Sequence, residues 1–210
     1  MRRPTFGFIA AAIIAAGAPV LCAPATAQTA ATQADATAAG TFVDQLADKV
    51  FAVLKETASK TAIKSKFRAM LKDNFAVDDA GARLIRRYRS QITPAQLAAY
   101  QAVLPDYIVN VYADRLINYS DADVQIVRTM PHGTKGDIDV FSRVSTAGKQ
   151  PFDVIWAVQK TPSGKFLISN VTVSGVNLAL TQEADFSSFI AKNGFDALVA
   201  MMKAANARSA

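Results

Sequence analysis

Few residues in this sequence have the type and spacing to do chemistry. The one histidine, His132, stands between Pro131 and Gly133, a setting that reads as a turn between two strands. A base there is available in principle, but a polar residue at an exposed turn is the simpler account. Asp137 and Asp139 lie two apart, so on a strand their carboxylates project from one face, where a pair can divide acid and base roles. Asp121 and Asp123 have the same spacing. Ordinary polar–apolar alternation on a half-buried strand gives the same pattern without chemistry. Asp78-Asp79-Ala80-Gly81 lacks the spacing of a calcium loop. With a single cysteine, Cys22, and a single histidine, thiol catalysis and the common zinc sites are not expected. No nucleophile elbow, paired-histidine zinc motif, phosphate loop or dinucleotide fingerprint occurs. The expectation is a chain with no catalytic residue, no metal and no cofactor.

The charged residues are more patterned. Lys60, Lys64, Arg68 and Lys72 recur every four residues, which sets them along one helical face. Arg83, Arg86, Arg87 and Arg89 follow closely. No acid is interleaved on the first stripe. It reads either as a solvated face or as a surface for docking an acidic partner or anionic lipid headgroups.

The elements that would position these residues fall into two kinds. Gln28 to Gly40, rich in Ala and Thr, reads as a mobile leader, residues 28–40. Thr41 then has the character of an N-cap with Asp44 at the third helical position. Phe42, Leu46, Val50 and Leu54 recur at helical spacing, predicting a helix over 42–57. Two more helices are predicted over 61–73, with Ile63, Phe67, Met70 and Leu71 inward, and over 79–89. Thr93-Pro94 opens a fourth, whose stripe is Leu97, Tyr100, Leu104, Ile108, Val111 and Tyr112. From Ala122 the period becomes two. "ADVQIVRTM", "GDIDVFSRVS", "PFDVIWAVQK" and "KFLISNVTVSG" are four strands joined by short turns, which argues for an antiparallel meander. On the third, Phe152, Val154, Trp156 and Val158 share a face. Helices over 183–192 and 195–205 close the chain, with Asn193-Gly194 between them. The fold class is α+β: a four-stranded, curved antiparallel sheet packed by N- and C-terminal helices around an apolar interior.

The first residues have a separate logic. Arg2 and Arg3, an apolar run from Phe6 to about Val20, and Ala25-Thr26-Ala27 follow the order of a secretory signal, residues 1–27, with cleavage after Ala27. The run is shorter than the roughly 20 residues of a membrane span, and Leu21 before Cys22 is too bulky for a lipoprotein site. Removal of the segment would leave a single domain, residues 41–207, exported and without cysteine, held by its core alone. The formal net charge of +6 falls to +4 with the loss of Arg2 and Arg3, and it would face a compartment without nucleic acid, so no nucleic-acid partner is expected.

Two stretches resemble a known family. "ITPAQLAAYQAVLPDYI" is similar to its Ser/Thr-Pro-x-Gln helix with apolar and aromatic residues behind it. "FLISNVTVSGVNLALTQEADFSSFIAKNGFDALVAMMK" resembles its C-terminal order of a strand, Gly-Val, a helix with Phe, and Gly before a last Leu-rich helix. The pattern, from about Thr41 to Lys203, is that of MlaC-type proteins, the toluene-tolerance family of periplasmic phospholipid-binding components of ABC transport systems. The family's acidic residue before the Gly-Val step is Ser174 here, that near the strand start is Asn170, and its basic residue before the Phe is missing around Gln182 to Asp185.

The resemblance implies a periplasmic carrier, not an enzyme, with phospholipid as cargo and its acyl chains in an apolar pocket between sheet and helices. The implied partners are an inner-membrane ABC transporter with its membrane-anchored substrate-binding subunit, and an outer-membrane lipoprotein complex. On this reading Tyr100, Leu104, Ile108 and Val111 face Phe152, Val154, Trp156 and Val158 across the pocket, and Lys60, Lys64, Arg68 and Lys72 dock the partners. Hopanoid-associated relatives of the same fold imply a related lipid. A small exported hydrolase using Asp137 or Asp139 is the alternative from another class.

Overall fold

A computed structural model describes residues 32–56, 59–133 and 136–208; the signal-like segment and its cleavage point lie outside them. Six helices and five strands follow in the order α1 (Gln33–Glu56), α2 (Lys60–Asn74), α3 (Val77–Leu84), α4 (Pro94–Ile117), β1 (Asp123–His132), β2 (Asp137–Ser145), β3 (Phe152–Lys160), β4 (Phe166–Val173), β5 (Val176–Asn177), α5 (Leu178–Asn193) and α6 (Phe195–Arg208).

The first helix starts earlier than the sequence reading placed it. Residues 33–40 of the expected leader are helical, and Thr41 lies inside the helix, where its hydroxyl donates to the Thr37 carbonyl at 3.3 Å. The cap is Thr32. Its Oγ1 accepts from the Asp35 N–H at 3.1 Å, and Asp35 Oδ2 accepts from the Thr32 N–H at 3.2 Å, a reciprocal arrangement that satisfies two orphan donors. Asp35 Oδ1 also holds Lys160 Nζ at 2.6 Å, which ties this turn to the end of β3. The inward face of the added turns is Ala36, Ala39, Gly40 and Val43. These small residues let α1 lie close upon β1 and β2.

The third helix is shorter than expected. It stops at Leu84, and the chain continues through turns closed by Arg86 N–H to Arg83 O at 3.2 Å and Tyr88 N–H to Ile85 O at 2.9 Å. Arg86 and the Tyr88 hydroxyl are drawn to α5, to Glu183 and the Ser187 carbonyl. Thr93 and Gln96 form the capping box that opens α4, which runs through Pro105 as one helix.

The sheet is the expected antiparallel meander, in the order β1-β2-β3-β4-β5. The fifth strand was not anticipated. Ser174 at φ 49° and Gly175 at φ 81° form a two-residue left-handed turn that suits a hairpin, and it folds Val176–Asn177 back on Thr172 and Val173. Asn177 then caps α5, its Oδ1 accepting from the Leu180 N–H at 3.0 Å; α5 therefore starts five residues before Glu183. Register shifts at Ile126/Arg128 on β1 and opposite Ala157/Val158 on β4 mark bulges, which add twist and bend a strand.

The apolar interior is divided. One buried cluster lies among the turn after α3, α4, α5 and α6, around Tyr100, Phe186 and Leu198. A second joins α1, α2 and α4 around Leu54, Phe67 and Val109. Two more lie on the sheet: Ile138, Val140 and Val158 under the start of α1, and Ala122, Val144 and Val154 near its end. Half-buried Ile108, Phe51 and Trp156 each pack against two of these clusters.

Candidate functional site

The sheet wall forms as the alternation predicts. Val154 and Val158 are buried, with Phe152 and Trp156 half-buried on the same face of β3. The Trp156 indole Nε1 donates to Ser142 Oγ at 2.9 Å, and the Ser142 hydroxyl donates to the Val154 carbonyl at 3.2 Å. This satisfies the indole's polar atom within the sheet and leaves its ring surface apolar. Phe152 meets Tyr119 edge-on at 5.7 Å. Val158 lies under Ala36, Ala39 and Val43 of α1, in a cluster that Trp156 also touches but Phe152 and Val154 do not join.

The helix wall is only half as expected. Tyr100 and Leu104 turn toward α3, α5 and α6 instead of the sheet. The Tyr100 hydroxyl donates to the Gly81 carbonyl at 3.1 Å, and burial pushes its phenol well above the ordinary value. Gly81 permits this approach: a Cβ there would sit 2.5 Å from Leu104 Cδ2. Tyr100 and Leu104 thus fix the helical layer, because α3 crosses α4 at their level. Ile108 joins two clusters, and Val111, one turn on, is half-buried.

A cleft of about 310 Å³ opens between the last turns of α1 and the start of β1. Its apolar floor is Phe51, Ala122 and Val124, and Asp48, Lys55 and Asp123 stand around it. The floor residues belong to the same cluster as Phe152, Val154 and Trp156, so this cleft gives onto the sheet wall.

The cationic stripe on α2 is not the acid-free face expected from the sequence. Lys64 is buried with its ammonium 3.9 Å from Asp114 Oδ1, and Arg68 pairs with Asp106. Both acids come from α4, more than thirty residues away, so local sequence could not show them. Lys60 and Lys72 remain exposed. Asp137 and Asp139 lie on the sheet face turned away from α1. Asp139 Oδ2 is 3.3 Å from the exposed His132 Nδ1, a surface pair at the end of β1. Among the described residues no group of three His, Cys, Asp or Glu is placed to hold a metal, and no helix is long and apolar enough to cross a membrane.

Comparison with known proteins decides the family. The model of the MlaC protein family matches residues 44–204, well over half of the chain. The chain belongs to the MlaC family. A solved structure described as the phospholipid-binding protein from Ralstonia solanacearum, in complex with a phospholipid, superposes with a TM-score of 0.68. It shares 23% identity and covers 81% of this chain and 97% of its own, a likeness of fold.

In this MlaC-family chain the residues that sequence reasoning missed are Phe51, Tyr119, Val124, Val171 and Val173, which pack on the same buried cluster of Ala122, Val144 and Val154 as Phe152 and Trp156 do. Val171 and Val173 carried a readable signal, the alternation in "NVTVSG", which aligns them with Trp156 and Val154 across the β3–β4 register. Phe51 did not. It sits beside the helical stripe that pointed to Val50 and Leu54, and only the tertiary fold turns it toward the sheet.

Proposed function

We propose that this chain is a carrier of phospholipid in the periplasm, where it takes acyl chains into the apolar layer between sheet and helices and passes them between membrane complexes of an ABC transport system. The observation that carries this reading is the sheet-side cluster. Phe51, Tyr119, Trp156, Val171 and Val173 gather half-buried on one cluster, Phe51 also lines the cleft beside it, and the one indole N–H among them is already satisfied by Ser142. The layer behind them is split into clusters joined by a few half-buried side chains, Val77, Ile108, Phe51 and Trp156. The phospholipid of the Ralstonia solanacearum protein, on a similar fold, supports the same class of ligand here.

The energetics fit a carrier without chemistry. Exposing a methylene to water costs about 0.8 kcal/mol, so two chains of about 16 carbons oppose transfer by on the order of 25 kcal/mol. An apolar interior removes that barrier and needs no catalytic group. Ligand pockets run from about 300 to 1,000 Å³. The cleft at about 310 Å³ takes the end of a chain, and a whole lipid requires the clusters to part. Native mass spectrometry of the purified chain, with extraction of what it carries, tests the reading. A stoichiometric glycerophospholipid is the expected result. A hopanoid would change the cargo, and protein without lipid, even after incubation with phospholipid vesicles, would overturn the carrier.

A further inference from the structure

A second cleft, of about 420 Å³, lies elsewhere, between the turn after α3 and one side of α5. Arg86, Arg87 and Tyr88 line one side, and Leu180, Glu183 and Ser187 the other. Glu183 is only 5% exposed. Its Oε1 accepts from Arg86 Nε at 2.7 Å and lies 3.8 Å from Arg87 Nε, while its Oε2 is buried without a partner. One carboxylate thus anchors two guanidinium groups by their inner nitrogens, and both side chains remain more than 60% exposed. Leu180 on the cleft, 56% exposed, and Val176 on β5, 52% exposed, are among the few large apolar side chains left in solvent among the described residues.

We propose that this cleft is a docking site for an acidic protein segment bearing an apolar side chain. Charge selects the sign: two guanidiniums over a single carboxylate leave a cationic surface, and exposed Arg83 and Arg89 extend it along the same turn. Shape favours a protruding segment over a bilayer, since a planar surface does not enter a cleft. Glu183 Oε2 is enclosed, so an occupant of the cleft meets the two guanidiniums and the exposed Leu180. A phosphate or an isolated carboxylate answers the arginines alone, whereas a polypeptide carries carboxylates for the arginines and an apolar side chain for Leu180 on one strand of chain. The proposal deepens the carrier reading and rests on it only in requiring that a carrier meet partners. Its test involves no lipid, so the two fail separately.

The experiment is a selection of short random peptides on the whole protein, with counter-selection on an Arg87→Gln, Leu180→Asp double variant. Both positions are exposed and the Arg86–Glu183 pair stays intact, so the variant should keep the wild-type melting temperature. Acidic sequences with a recurrent apolar position should be enriched. Their affinity should fall about tenfold or more in each single variant, and further as salt rises. Three results would overturn the proposal: no enrichment over the double variant, enrichment of neutral or basic sequences, or Arg87-dependent binding of phosphatidylglycerol vesicles with no peptide retained.

Discussion

The Trp156 indole and the Ser142 hydroxyl, on neighbouring strands, are joined at 2.9 Å, and the same hydroxyl reaches the carbonyl of Val154, on the strand of the indole, at 3.2 Å. A single small polar side chain therefore sets the tilt of the largest aromatic on the sheet wall. Ser142→Ala leaves the indole N–H unpaired in a half-buried site, a loss of about 1–3 kcal/mol. Urea unfolding followed by the fluorescence of Trp156, the one tryptophan of the chain, should show a lower midpoint at unchanged slope. An unchanged midpoint would mean that the bond does not hold the ring.

Val154 and Val171 occupy opposite sides of the question of where lipid sits. Val154 is buried in the sheet cluster, whereas Val171, paired with Trp156, is half-buried. Enlarging Val154 to Trp overpacks the cluster and should cost about 1–3 kcal/mol. Val171→Trp should cost less and, on the carrier reading, displace acyl chain from the wall. Lipid content and melting temperature measured on both variants separate the two effects. A Val171→Trp protein that keeps its full lipid content would place the chains elsewhere.

Burial raises the Tyr100 phenol above its ordinary value of 10.0. In the unfolded chain this phenol ionises near its ordinary value, in the folded chain only at higher pH, so the unfolded state releases its proton first. The stability it contributes is whole below about pH 10 and declines above it. Tyr100→Phe should lower stability at neutral pH by about 1 kcal/mol, through the lost bond to Gly81, and make the alkaline decline shallower. Tyr107 and Tyr112, also raised chiefly by burial, would sustain what decline remains. Thermal melts from neutral to strongly alkaline pH test this, and an identical alkaline profile in the variant would refute it.

Periodicity made the strands legible because each alternates over its own length and its turns are short. The same local logic found the Thr93–Gln96 cap and the shared face of Phe152, Val154, Trp156 and Val158. It missed the first turns of α1, whose buried face is built of Ala36, Ala39 and Gly40, small residues that read as low complexity when large apolar side chains are the signal sought. It also misplaced Tyr100 and Leu104. A helical stripe shows that a face is buried, but two layers competed for this one, and α5 and α6 took it. The supposed cationic stripe failed for a related reason, since Asp106 and Asp114 reach Arg68 and Lys64 only across an interhelical contact.

Gly40 carries a consequence for how this chain tolerates change. A Cβ at Gly40 would lie 3.0 Å from the Thr129 methyl, and that methyl, on a β-branched side chain, has little freedom to move away. Alanine at 40 gains about 1 kcal/mol of helix propensity against that contact; any longer side chain loses outright, because α1 must lift from β1. The same crowding holds at Ala36 and Ala39, which are fully buried. In a saturation library scored for folding, these three inconspicuous positions would be among the most depleted of the chain, more so than most of the charged surface. Residues with almost no side chain would bear the heaviest mutational constraint.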